Sequence, residues 1–177
     1  MQIISQLAIT CQDQDTTEAW YVNHFGFKRA RVAELPDGKK IVFIKMADSA
    51  FYLELFAADS ASPLPAASND GYTFPGFRHL AFKVENVDKK LAEIGSEAKI
   101  SLGPLDFDAF IPGWRTVWII DPDGRIIEIS QGFTDQYWKF FIDSGYLLIP
   151  QMITKPQIRP TGIHHARKSD FFSKEIT

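Results

Sequence analysis

Four side chains that can bind a metal occur in this chain as two sets with matching spacing. Glu54 follows Gln6 by 48 residues, and Glu128 follows His79 by 49. Gln6 and His79 stand at the start of short alternating apolar runs, whereas each Glu stands between two aliphatic residues. Such runs are typical of β-strands. The sequence therefore contains the same two strands twice, and each copy carries one amide or imidazole and one carboxylate.

The residue types in these sets define the chemistry they could support. Carboxylate, amide and imidazole ligands suit Zn²⁺, Ni²⁺, Co²⁺, Mn²⁺ or Fe²⁺, and they differ from the cysteine-rich sets of structural zinc sites. A lone Glu in an apolar strand more often faces solvent, because every second residue of a strand points outward. Two Glu at matched positions, each with a matched partner, favour a metal site over that interpretation. Carboxylates beside a dication also offer a general base.

The first half of the chain predicts a βαβββ module over residues 1–57. Residues 3–10 alternate as a strand. Asp15 and Glu18 form a capping box, so we expect a helix that starts there and ends at Gly26. Three further strands are predicted at residues 28–35, 40–45 and 51–56, with a turn before the second of them.

The second half repeats this order over residues 77–133. A strand at residues 79–84 is followed by a short helix that Asn86 caps. Residues 99–114 contain two Gly/Pro breaks, which predict one irregular strand and a loop. A hairpin is then predicted across Asp121-Pro122-Asp123-Gly124, a turn sequence with Pro and Gly at favourable positions. The two modules, joined by a linker over residues 57–76, predict an α+β domain over residues 1–133.

Composition limits the partners and the location of the protein. The 177 residues can bury a sizeable core, and a hydrophobic content of 45% is ordinary for a globular chain. A net charge of −3 argues against a nucleic-acid surface. One cysteine, no leader pattern and no apolar window of about 18 residues predict no membrane and a reducing, cytoplasmic setting.

Residues 134–177 have no counterpart in the first half. They contain an aromatic run too apolar for a free tail, Tyr137, Trp138, Phe140 and Phe141. We therefore expect a C-terminal extension that packs on its own domain or on a second subunit.

The repeated modules point to a known family. Two βαβββ modules, a Glu in the last strand of each, and Asp-Pro-Asp-Gly just before the second Glu resemble the vicinal oxygen chelate superfamily, also called the glyoxalase/bleomycin resistance/dioxygenase family. The resemblance covers residues 3–132. It implies an open, cupped mixed β-sheet barrel around a divalent metal, with one ligand from the first and one from the last strand of each module.

The resemblance also implies a ligand set and an activity. It assigns one divalent metal per chain, Zn, Ni, Co, Mn or Fe, to Gln6, Glu54, His79 and Glu128. Many metal-dependent members have His in the first of these positions, and the set with Gln is similar to that of some zinc-type glyoxalase I enzymes. The implied enzyme is a lactoylglutathione lyase-like lyase or isomerase that acts on a hemithioacetal or another α-hydroxy carbonyl substrate through a metal-stabilised enediolate. Glu128 is the expected base, and Glu54 is the second choice.

The resemblance is also compatible with two other functions. A ring-cleaving dioxygenase of the same superfamily would require two His and one carboxylate around iron, so Gln6 counts against it. A metal-free small-molecule-binding protein of the bleomycin-resistance type would leave the four metal-capable residues without a role. Modules of this kind often pair across a two-fold axis, and we expect a homodimer.

Four further residues are candidates for substrate contact. Arg29 and Arg31 are expected to share a strand face, where they could meet an anionic substrate, although paired Arg on a strand usually form a solvated edge. Trp114 and Arg115 stand beside the Gly/Pro breaks and are expected near the rim of the cup.

Overall fold

The computed structural model describes residues 2–135 of the chain. The extension predicted over residues 134–177 lies outside the described residues apart from its first two positions, so its packing stays a prediction. Within residues 2–135, no helix is long and apolar enough to cross a membrane.

The first module forms a four-stranded sheet with one helix. Its elements are β1 (Gln6–Cys11), α1 (Gln14–Phe25), β2 (Phe27–Glu34), β3 (Lys40–Met46) and β4 (Tyr52–Ala57). The order across the sheet is β1-β4-β3-β2, and β1 runs parallel to β4 while the other neighbours are antiparallel.

Helix α1 begins two residues earlier than the capping-box prediction. The side chain of Asp13 accepts hydrogen bonds from the amides of Asp15 and Thr16, so Asp13 is the N-cap and the assignment of Asp15 is wrong. Glu18 instead binds Arg29. The predicted end is confirmed, because Gly26 adopts a left-handed conformation (φ 69°) that glycine tolerates without strain.

The second module repeats the arrangement. Its elements are β5 (Leu80–Lys83), α2 (Val87–Ile94), a 3₁₀ turn (Gly95–Glu97), β6 (Lys99–Asp106), β7 (Arg115–Ile120) and β8 (Ile126–Gln131). The order across the sheet is β5-β8-β7-β6, and β5 runs parallel to β8 while the other neighbours are antiparallel. The α+β class and the two βαβββ modules are therefore confirmed. In the described part of the chain the two sheets stay separate and do not close into one hydrogen-bonded barrel.

One hydrophobic core joins the backs of the two sheets. Leu53 and Leu55 of β4 belong to the same buried cluster as Ile127 and Ile129 of β8. Side chains alternate along a strand, so the residues between these buried positions point to the other face of each sheet. We call these faces, which point away from the shared core, the first and second open faces. Glu54 lies on the first open face and Glu128 on the second.

The turn between β7 and β8 ties the second module to the first. Asp121 accepts hydrogen bonds from the Tyr21 hydroxyl (3.1 Å) and from Arg125 (2.7 Å). Asp123 accepts from the Thr17 hydroxyl at 2.6 Å. Both carboxylates are buried in this contact. The Asp-Pro-Asp-Gly sequence therefore forms the predicted turn and also fixes how the modules pack.

Candidate metal and substrate site

The first ligand pair lies on neighbouring strands of the first open face. Gln6 Nε2 donates a hydrogen bond to Glu54 Oε1 at 2.6 Å. The parallel register places Gln6 beside Tyr52 and Ala8 beside Glu54, so the two polar side chains meet on a diagonal. Gln6 is exposed and Glu54 is half-buried. The sequence separation of 48 residues thus corresponds to a direct contact.

The second ligand pair is more enclosed. His79 immediately precedes β5, and its Nε2 lies 2.8 Å from Glu128 Oε2 on β8. Glu128 is buried and His79 is half-buried. Trp118 lies opposite Glu128 in the β7–β8 register, and its ring centroid is 6.2 Å from that of His79. The four residues predicted as ligands therefore form two matched pairs, one on each open face.

A backbone carbonyl determines which nitrogen of His79 faces the pair. His79 Nδ1 lies 2.6 Å from the carbonyl oxygen of Asp70. A carbonyl can only accept, so we assign the proton to Nδ1. Nε2 is then free either to hold a second proton toward Glu128 or to offer its lone pair to a metal. Metal-binding histidines are commonly oriented in this way by an acceptor on the other nitrogen.

The contact between His79 and Glu128 changes the pKa of both residues. The hydrogen bond to Glu128 raises the pKa of His79, partly opposed by burial. Burial by itself would raise the pKa of Glu128, but the hydrogen bond and charge of His79, together with Thr116 and Ser130, outweigh burial and lower that pKa. Glu128 is therefore ionised at neutral pH, as a metal ligand or a base must be.

The two pairs do not meet within one chain. Residues 2–135 contain no group of three or more His, Cys, Asp or Glu side chains that could hold a metal together. Glu54 is therefore too far from His79 and Glu128 to complete their site. Each pair alone fits a divalent metal by donor type, but supplies only two of the four predicted ligands.

The expectation that Arg29 and Arg31 share a strand face is wrong. A β-bulge interrupts the register between them, so Arg29 pairs with the buried Ile44 and Arg31 pairs with Phe43. The guanidinium of Arg29 binds Glu18 of α1, with one hydrogen bond of 2.7 Å. Arg31 lies on the first open face, the same face as Glu54.

Trp114 and Arg115 also separate onto two faces. Trp114 Nε1 donates to the Ser130 hydroxyl at 2.9 Å. Ser130 lies two residues after Glu128 on β8 and therefore shares the second open face with it. Arg115 is bound by Asp106 and by Asp88 of α2. Trp114 therefore stays a candidate for substrate contact, whereas the cation of Arg115 is already neutralised.

Sequence reasoning missed two residues of this site, Trp118 and Asp70. Trp118 is buried, and its indole N–H finds no acceptor among the described residues. A hairpin register counted back from the Asp-Pro-Asp-Gly turn could have placed Trp118 opposite Glu128. Asp70 acts through its backbone, and the linker sequence carries no signal for such a contact.

A cavity of about 200 Å³ lies beside Arg78, and none of the four predicted ligands lines it. Its lining includes Thr10, Ile126 and Arg78. Arg78 forms two hydrogen bonds with the Asp70 carboxylate, so its charge is compensated. The cavity therefore contains neither a predicted metal ligand nor an uncompensated charge from Arg78.

Comparison with known proteins gives the family. The profile of the Glyoxalase/Bleomycin resistance protein/Dioxygenase superfamily matches residues 3–129, and the chain belongs to this superfamily. The uncharacterized protein YwkD of Bacillus subtilis is 27% identical over 131 residues, which are 74% of this chain and 98% of YwkD.

Solved structures agree with this assignment. A glyoxalase family protein from Enterococcus faecalis is 28% identical, with a TM-score of 0.56 over 73% of this chain and 97% of its own. The trypanothione-dependent glyoxalase I of Leishmania major has 20% identity and a TM-score of 0.54 over 75% and 88% of the two chains. At that identity the second likeness supports the fold alone.

Proposed function

We propose that the protein is a metal-dependent lyase or isomerase of the glyoxalase I type that acts on a hemithioacetal or another α-hydroxy carbonyl compound. The observation that supports it most directly is the pair of matched contacts, Gln6 with Glu54 and His79 with Glu128, at equivalent places in the two modules. The contact between the Asp70 carbonyl and His79 Nδ1 also supports the proposal, because it would leave Nε2 oriented to bind a metal. The single cysteine of the chain agrees with a cytoplasmic location.

We infer that two copies of the chain build each site. Gln6 and Glu54 of one subunit would face His79 and Glu128 of a second, because within one chain the pairs lie on faces turned away from a shared core. A homodimer with two-fold symmetry would form two such sites, since an isologous contact repeats itself.

The carboxylates would carry out the proton transfer. A bound divalent cation would polarise the substrate carbonyl and so make the adjacent C–H more acidic. Glu128 takes that proton and returns it to the neighbouring carbon, so the overall reaction is an isomerisation with no net change in protons. Nε2 would have to lose any proton it shares with Glu128 before it could bind the metal, and the charge of the cation would keep the carboxylate ionised. Glu54 is the second candidate.

Metal analysis and a turnover assay test the proposal together. The parent protein, purified without chelator and then supplied with Zn²⁺, Ni²⁺ or Mn²⁺, should hold about one metal per chain. A folded Glu54→Gln/Glu128→Gln variant should hold little, and only the parent should convert the methylglyoxal hemithioacetal. A parent that takes up none of these metals would contradict the proposal and favour a metal-free binding protein.

A further inference from the structure

Three basic side chains lie together on the first open face. The strand register places Lys28 of β2 directly opposite Lys45 of β3, and it places Arg31 opposite Phe43. Neighbours Ile44 and Val42 of β3 are fully buried on the other side of the sheet. Lys28, Lys45 and Arg31 therefore share the face that carries Gln6 and Glu54. Lys28 and Arg31 are exposed, and Lys45 is half-buried.

Within residues 2–135, these three cations have no carboxylate partner, whereas several other basic residues do. No ion pair joins Lys28, Arg31 or Lys45 to an acidic side chain within residues 2–135. Arg29, on the opposite face of the same strand, binds Glu18. Like charges directly opposite each other in a sheet are destabilising. A bound anion would therefore reduce the repulsion between Lys28 and Lys45.

The distance between the three cations and the first ligand pair follows from the order of the strands. The sheet order is β1, β4, β3, β2, so the pair occupies the first two strands and the cations the last two. Tyr52 lies between Gln6 and Lys45, and Phe43 lies between Glu54 and Arg31. Each step between strands is about 4.8 Å. An anionic group at the cations would thus lie roughly 5–10 Å from Glu54, across an aromatic surface.

The second module shows that the fold does not require this charge. Its sheet has the same order, and the residue paired with Trp118 from the outer strand is Leu102. Leu102 corresponds to Arg31, as Trp118 corresponds to Phe43 and Glu128 to Glu54. The equivalent position is thus apolar in one module and cationic in the other.

We propose that Lys28, Arg31 and Lys45 form an anion-binding subsite that holds a carboxylate or phosphate group of the substrate. This inference rests on the proposed function, which identifies the part of the substrate that reacts near Glu54 as an α-hydroxy carbonyl. It narrows the substrate to compounds with an anionic group separated by a short spacer from the α-hydroxy carbonyl. Lys45, whose Nζ lies 5.7 Å from the Tyr52 ring centre, is the nearer to Gln6 of the two lysines in the row of Gln6.

Binding of simple anions tests the subsite without any turnover. Acetate and inorganic phosphate would be titrated separately into the ¹⁵N-labelled full-length protein, and amide shifts would be followed in β2 and β3. The test variant is Arg31→Gln/Lys45→Gln. The control is Arg29→Gln/Lys89→Gln, which removes the same charge from the other face of β2 and from the exposed side of α2.

We expect the anion that matches the subsite to shift amides around Lys28, Arg31 and Lys45, with a Kd that rises at least about tenfold in the test variant and less than about twofold in the control. Tighter binding of acetate would indicate a carboxylate substrate, and tighter binding of phosphate a phosphorylated one. Absence of these shifts with both anions, or equal weakening in the control, would overturn the proposal.

Turnover then separates this proposal from the proposed function. Methylglyoxal hemithioacetals of 3-mercaptopropionate and 2-mercaptoethanol differ mainly in one negative charge. We expect the parent to prefer the charged compound in kcat/KM, and the test variant to lose the preference. Anion binding without turnover of either compound would support the subsite and contradict the proposed reaction. Turnover without a preference for the charged compound, and without amide shifts on addition of either anion, would support the reaction and contradict the subsite.

Discussion

His79 is held by two acceptors that have different consequences for its chemistry. The Asp70 carbonyl, 2.6 Å from Nδ1, fixes the ring orientation, while Glu128 lies 2.8 Å from Nε2. A metal and a proton would compete for the space between Nε2 and the carboxylate. The same contact that stabilises the metal-free protein is therefore the one that a metal would replace.

Glu128→Gln should separate proton transfer from folding. The substitution keeps the size of the side chain and a possible oxygen ligand but removes the base. We expect kcat for the hemithioacetal to fall about 10²–10⁴-fold while the thermal unfolding midpoint changes little. Steady-state kinetics and circular dichroism of the same sample would measure both. Glu93→Gln, the same change at an exposed position of α2, is the control, and a retained rate in Glu128→Gln would exclude Glu128 as the base.

At the scale of elements, the sequence pattern predicted each strand and both helices of the two modules, because alternation and turn residues act locally. It did not predict the β-bulge between Arg29 and Arg31, which depends on how β2 packs against α1 and β3. Nor did it identify Asp13 as the N-cap, since Asp15 and Glu18 offered an equally good local pattern. The matched Gln6 and Glu54 could be paired from spacing alone, whereas the Asp70 contact required the path of the linker.

The N-cap of α1 should make the helix sensitive to acid. Hydrogen bonds from the Thr16 amide and hydroxyl lower the pKa of Asp13. Stabilisation by a carboxylate with a lowered pKa is present above its unfolded-state pKa and disappears as pH falls through its folded-state pKa. Asp13→Ala should therefore be less stable than the parent at pH 7, and the difference should shrink below the ordinary titration range of aspartate. Urea unfolding at several pH values would measure this, and a pH-independent difference would contradict it.

The turn between β7 and β8 should contribute strongly to stability. Asp121 is fully enclosed, and it neutralises Arg125 and accepts from Tyr21. Asp121→Ala would remove one of the two carboxylates that bind the Arg125 guanidinium in this buried contact and leave only Asp123. We expect a loss of about 3–5 kcal/mol in the free energy of unfolding, which is the usual range for breaking a buried ion pair. Glu93→Gln, on the exposed side of α2, is the control and should change stability by less than about 0.5 kcal/mol.

At the scale of the whole molecule, the arrangement of the modules explains why two ligand pairs exist and stay apart. The modules pack back to back on one core, so neither open face brings the four predicted ligands together within the described chain. Superfamily membership and the repeat could be inferred from spacing, but this separation could not, because it depends on which faces of the sheets are buried together. The proposed dimer restores the four-ligand set through a second copy.

Subunit complementation tests this central claim most directly. One variant carries Gln6→Ala/Glu54→Gln and the other His79→Ala/Glu128→Gln, and the two are unfolded together, refolded as an equal mixture and analysed for bound zinc. Each variant alone should bind little metal, whereas the mixture should bind about a quarter of the parental amount, because half of the dimers are mixed and each holds one intact site. No recovery of metal in a mixture shown to contain mixed dimers would contradict a site built from two chains.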